Sequence, residues 1–146
     1  ASEVRALFSR SGLDARIAEG PLYAASSVKM AYAAWTKGSS ALLLAARALA
    51  RSSGVERTLL AEWQLSQPSL TAQSERGAGA AAAKGWRWIG EMEEIAASMA
   101  AAGLPAGFHE AAAELYDRAS RADVHTGRRT ATTAKETLDA IMSALM

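Results

Sequence analysis

The chain contains no cysteine, which removes disulfides, thiolate catalysis and thiolate metal ligands from its 146 residues. Histidine is nearly missing as well. His109 and His125 are too far apart in sequence to form a helical ligand pair, so a zinc site would have to rely on carboxylates. Valine and isoleucine are scarce, whereas alanine, leucine, arginine and glutamate are abundant, a balance that favours helix over strand. An excess of one charge sign is also lacking. Sixteen basic residues face fifteen acidic ones, which argues against duplex nucleic acid as a partner. No apolar run reaches membrane-spanning length, because Lys37 and Arg47 interrupt the best candidate. With no signal peptide visible, a cytoplasmic protein is the expectation.

What is present reads as helix with clear punctuation. Pro68 and Pro105 are placed to open helices, and Gly54 and Gly103 to close the helices before them in the left-handed conformation. Ser53 to Glu56 and Thr133 to Glu136 both fit the capping-box pattern. The expected segments are a short amphipathic helix over 3–10 burying Val4, Leu7 and Phe8, a short strand over 13–18, and a long helix over 24–52. Further helices are expected over 56–67, 68–83, 86–102, 105–121 and 131–145. The fold class is therefore all-α, built around one long central helix that is apolar on nearly every side. In the helix from Trp86, Trp88, Ile89, Met92, Ile95, Ala96 and Met99 form the apolar stripe, with Arg87, Glu91, Glu94 and Ser98 opposite. The next helix buries Phe108, Ala112, Leu115 and Ala119. Residues 77–85 (GAGAAAAKG) lack a preceding strand and a complete phosphate-loop pattern, so they read as a tight packing surface or a joint. Residues 122–130 (ADVHTGRRT) read as a polar loop in which Arg128 and Arg129 at most touch a phosphate.

One residue breaks the apolar pattern of the long helix. Lys29, between Val28 and Met30, falls in the first turns, where the helix dipole disfavours a cation. A lone lysine in an alanine-rich helix is usually a solvated side chain. Partial burial beside Val28 and Met30 would instead lower its pKa, as proton transfer requires. Tyr32, Thr36, Lys37 and Ser40 follow at helical spacing and outline a polar groove, with Lys37 a competing charge.

The order SGLDARIAEGPLYAASSVKM, a long helix, then RWIGEMEEIAASMAAAGLPAGFHEAAAELY resembles the C-terminal domain of the β-hydroxyacid dehydrogenase and 6-phosphogluconate dehydrogenase superfamily. It is most similar to the branch whose C-terminal domain has no known function. The resemblance covers residues 11–118 and is strongest at AASSVKMAYAAWTKGSSALLLAARALA and GEMEEIA. It implies that Lys29 is the general acid or base beside the hydride-transfer carbon, with Ser26, Ser27, Tyr32 and Glu91 as substrate-binding candidates. It also implies NAD or NADP in the complete enzyme, a small-molecule substrate, and a homodimer formed through the long helix. Residues 1–20 then correspond to the last helix and strand of a Rossmann domain, and residues 21–146 to the helical substrate and dimerisation domain. The dinucleotide fingerprint is absent, so the expectation is a C-terminal fragment that binds no cofactor tightly and cannot transfer hydride alone.

The departures narrow what is implied. Tyr23 and Ala25 stand where the family usually has glycines, Tyr32 and Ala33 where it has an asparagine, and Gly90-Glu91 where a second lysine precedes an aspartate. The substrate therefore stays open. For Glu91 and Glu94 the alternative is a solvated face, with Arg87 and Glu91 as an i,i+4 pair. For the whole chain the alternative is a non-enzymatic all-α ligand-sensing or dimerisation module.

Overall fold

The computed structural model describes residues 2–122 and 133–146. His125, Arg128 and Arg129 lie outside the described residues, as does most of the expected 122–130 loop. Among the described residues there are six α-helices and no strand, so the all-α class is observed. They are α1 (Ser2–Leu7), α2 (Ala24–Ser52), α3 (Glu56–Ser66), α4 (Leu70–Ala101), α5 (Gly107–Ser120) and α6 (Ala134–Leu145). The chain divides into two compact units, Ala1–Ala33 and Ala34–Met146.

In the N-terminal unit two expectations are corrected. Helix α1 buries none of its residues, and Val4, Leu7 and Phe8 are exposed instead of forming a packed face. A six-residue helix is too short to hold an apolar stripe against a core by itself. Residues 13–18 are not a strand, since no second strand exists among the described residues to complete a ladder. Gly20 turns the chain at φ 130°, and α2 begins four residues later.

The C-terminal unit has a packed interior. Helix α4 lies along α5 and also contacts α6 and α3. Leu44, Met92, Ile95, Tyr116, Ile141 and Met142 are fully buried between these helices and α2. The two helices expected over 68–83 and 86–102 are one helix of 32 residues. The alanines of residues 80–83 are the strongest helix formers, and they carry the helix through Gly85 at modest cost. Gly85 has a packing reason: a Cβ there would meet the Tyr116 carbonyl oxygen at 3.4 Å, so the missing side chain lets α5 come close.

The helix ends follow the sequence punctuation in part. Gly54 (φ 71°) and Gly103 (φ 73°) adopt the left-handed conformation. The amides after them, Val55 to Ala50 and Leu104 to Met99, close Schellman turns. Thr133 and Glu136 form the expected capping box. The Ser53–Glu56 box does not form. Val55 occupies the N-cap of α3 without a side-chain bond, because the Glu56 carboxylate is taken by Arg47 and Arg51. Pro68 and Pro105 each lie two residues before the first helical position rather than in the first turn.

Candidate functional site

The sequence-derived candidates fall in different units. Ser26, Ser27, Lys29 and Tyr32 occupy the first turns of α2 in the N-terminal unit, and all four are exposed. The partial burial expected for Lys29 does not occur, because Val28 is itself 62% exposed and supplies no apolar wall. Ser27 Oγ donates to the Tyr23 carbonyl at 3.2 Å, one turn back. Among the described residues Lys29 makes no ion pair.

Glu91 belongs to the C-terminal unit, where the expectation of a solvated face paired with Arg87 is corrected. Its carboxylate is bound by the Lys37 ammonium, across from α4 to α2, and both side chains are largely buried. The Lys37 nitrogen also lies 5.8 Å above the Trp88 ring, within cation–π range. Trp88 meets Tyr116 edge-on, with centroids 5.0 Å apart and ring planes at 72°. Tyr116 in turn donates its hydroxyl to the Lys37 backbone carbonyl at 2.7 Å. One lysine is thus held at both its backbone and its tip. Burial pushes the Tyr116 phenol up to about 12; a hydrogen bond with Ser40 opposes the shift and the Glu91 charge adds to it. Alkaline titration followed by phenolate absorbance is expected to show a component near 12 that disappears in Tyr116→Phe. Its persistence in that variant would refute the assignment.

Sequence reasoning placed Lys37 on the polar groove but missed its partner. A lysine and a glutamate 54 residues apart carry no pairing signal until α2 and α4 are set side by side. Tyr116 was missed altogether, since it reads as one more residue on an amphipathic helix. Phe108 is corrected in the other direction. Expected in the core, it is 73% exposed.

Phe108 borders a groove of about 590 Å³ between α2 and the first turns of α5, walled by Trp35, Leu42, Pro105 and Leu115. His109 closes one side of it. Its Nε2 faces the Ala34 carbonyl at 3.3 Å, while Nδ1 is buried without a partner among the described residues. Gly38 makes room for the ring, since a Cβ there would lie 3.1 Å from Nε2.

A second polar cluster ties the helices together. Arg47, only 4% exposed, donates to Glu56 at 2.7 Å and to the buried Ser74 hydroxyl at 2.6 Å. Arg51 donates to Glu56 and, at 2.9 Å, to Asp139 of α6. This network joins α2, α3, α4 and α6, and its charges are satisfied by one another.

The GAG sequence lies inside α4, where a Cβ on Gly77 would sit 2.9 Å from Ser40 Oγ, so its backbone is committed to helix packing and not to a phosphate. No metal-binding group of His, Asp or Glu occurs among the described residues, and no helix among them is long and apolar enough to cross a membrane.

Residues 50–119 match the family described as a domain of unknown function, DUF1932. The match takes in the end of α2, all of α3 and α4, and most of α5, including Glu91, Trp88 and Tyr116. It does not reach Lys29 or Lys37. No curated protein and no solved structure matches the chain.

Proposed function

We propose that this chain is the helical substrate and pairing domain of an NAD(P)-dependent oxidoreductase resembling the 6-phosphogluconate and β-hydroxyacid dehydrogenases. The carrying observation is Lys29. It stands exposed and without an ion pair among the described residues, in the second turn of the 29-residue helix α2, where that superfamily places its acid–base lysine. The DUF1932 match supports the same assignment, because the sequence resembles the branch whose C-terminal domain has no known function. The cofactor in this reading belongs to a nucleotide-binding domain and not to these helices. The share of Lys29 is the proton. As ammonium it gives one to a substrate carbonyl oxygen, and as amine it takes one from a substrate hydroxyl. Ser26, Ser27 and Tyr32, on the same turns, are the proposed hydrogen-bonding neighbours of that substrate.

In the oxidoreductase that carries this domain, Lys29→Ala is expected to lower kcat by about 10²–10⁴-fold, the usual share of a general acid or base. Lys29→Arg should not restore it, since a guanidinium does not release its proton. Wild-type turnover by the alanine variant would end the assignment. For the isolated chain, calorimetry with NADH and with NADPH should register no tight binding. A tight complex with either would place the cofactor site within these residues and contradict the division of labour proposed above.

A further inference from the structure

The groove between α2 and the first turns of α5 lies wholly within the C-terminal unit and has the size of a small-molecule site. Its volume of about 590 Å³ falls inside the roughly 300–1,000 Å³ usual for ligand pockets. Among the residues that line it there is no Asp, Glu, Lys or Arg. Trp35 of α2 and Phe108 of α5 border it, each 73% exposed, so two aromatic rings are left in solvent. Ser39 and His109 interrupt the apolar wall.

Packing does not account for the imidazole of His109. The residue is only 8% exposed, yet its Nδ1 finds no partner among the described residues. Buried polar atoms are almost always hydrogen-bonded, and an exception asks for a cause. Gly38 gives the ring its seat, since a Cβ there would lie 3.1 Å from Nε2. The contact of Nε2 with the Ala34 carbonyl, at 3.3 Å, is long for a hydrogen bond and restrains the ring weakly. A mostly apolar wall with few polar groups is the usual make-up of a site in which those groups orient the ligand.

We propose that this groove binds a neutral, flat aromatic compound carrying one hydroxyl group. The hydroxyl bonds to His109 Nδ1, and the ring system lies against Trp35 and Phe108. Each part of that description follows from the lining. A charged compound would lose its hydration here and gain no ion pair. An aromatic ring gains from edge or offset contacts with Trp35 and Phe108 beyond the apolar area it covers. A hydroxyl both donates and accepts, so it satisfies Nδ1 whichever ring nitrogen carries the proton. Nδ1 is shielded from water in this arrangement. A turn of the imidazole about its Cβ–Cγ bond, a broad torsion, presents it to the ligand. The site uses neither Lys29 nor its neighbours and goes beyond the oxidoreductase reading.

Calorimetry on the full 146-residue chain with 2-naphthol, naphthalene and 2-naphthoate separates these contributions. The expected result is that 2-naphthol binds about tenfold more tightly than naphthalene, the worth of one hydrogen bond, and that 2-naphthoate binds most weakly. His109→Phe should leave naphthalene binding nearly unchanged and abolish the preference for 2-naphthol. Ala111→Phe adds a ring at an exposed position of the lining and should abolish binding of both, with circular dichroism confirming that each variant is helical. Equal affinity of wild type for 2-naphthol and naphthalene would overturn the role of His109 and the hydroxyl. Binding that persists in Ala111→Phe, or no binding to wild type, would overturn the site. An affinity that weakens as the chain concentration rises would show a second copy on the groove and overturn the small-molecule occupant. None of these readouts involves Lys29, so the oxidoreductase reading stands or falls separately.

Discussion

Glu56→Ala is expected to destabilise the fold by about 3–5 kcal/mol, the cost of removing one partner from a buried ion pair. Glu56 accepts from Arg47 at 2.7 Å and from Arg51 at 2.7 and 3.0 Å. Without it, Arg47 stays 4% exposed with the Ser74 hydroxyl as its remaining partner among the described residues, a buried cation beside a neutral group. Arg51 keeps Asp139, which is about half exposed and holds it more weakly. Glu56→Gln keeps the shape but not the charge and should fall between the two. Urea unfolding checks this through a lower midpoint at unchanged slope; a loss below about 1 kcal/mol would mean that the network adds little.

The same residue sets an acid dependence. The Arg51 hydrogen bond, helped by that of Arg47 and opposed by burial, holds the Glu56 carboxyl below its ordinary range. A carboxyl whose folded pKa is depressed binds fewer protons folded than unfolded. Its stabilisation is therefore complete above about pH 4.5 and drains away as the pH falls through the lower folded value. Wild type should lose stability steeply there, and Glu56→Gln should lose less of it.

The second large effect is expected at Tyr116. Tyr116→Ala should cost about 3–5 kcal/mol, as truncation of a buried aromatic does, since the ring is fully buried and meets Trp88 edge-on. Tyr116→Phe keeps the ring and isolates the hydroxyl. It should cost about 1–2 kcal/mol, because the Lys37 carbonyl loses its 2.7 Å donor in a dry setting. Trp88 also serves as a fluorescent reporter beside both groups. An emission shift in the alanine variant and little change in the phenylalanine variant is the expected pattern. Equal stability of the two variants would show that the ring itself contributes little.

Much of the helical frame was legible in the chain. The extent of the long helix, about 24–52, was readable, because Gly54 needs a left-handed turn and the alanine-rich run before it has no competing preference. Composition alone decided the all-α class, through the shortage of β-branched residues. Local chemistry also decided the Thr133–Glu136 capping box, whose donors and acceptors lie within one turn. The Gly85 boundary was misread, since a glycine that breaks an isolated helix is tolerated where a neighbouring helix needs its space.

The candidate site was legible only on its local side. Lys29 stood out through its position on one helix, a property that sequence spacing carries. The partners of Lys37, Glu56 and Tyr116 did not, because each is chosen by which helix lies opposite. Ser53 to Glu56 had the pattern of a cap, yet the tertiary structure gave Glu56 to two arginines, since charge-assisted bonds outweigh a neutral cap bond. The exposure of Trp35, Leu42 and Phe108 was likewise settled by packing. Periodicity marks a residue as apolar and names its face, but only the arrangement of neighbouring helices determines whether that face is covered.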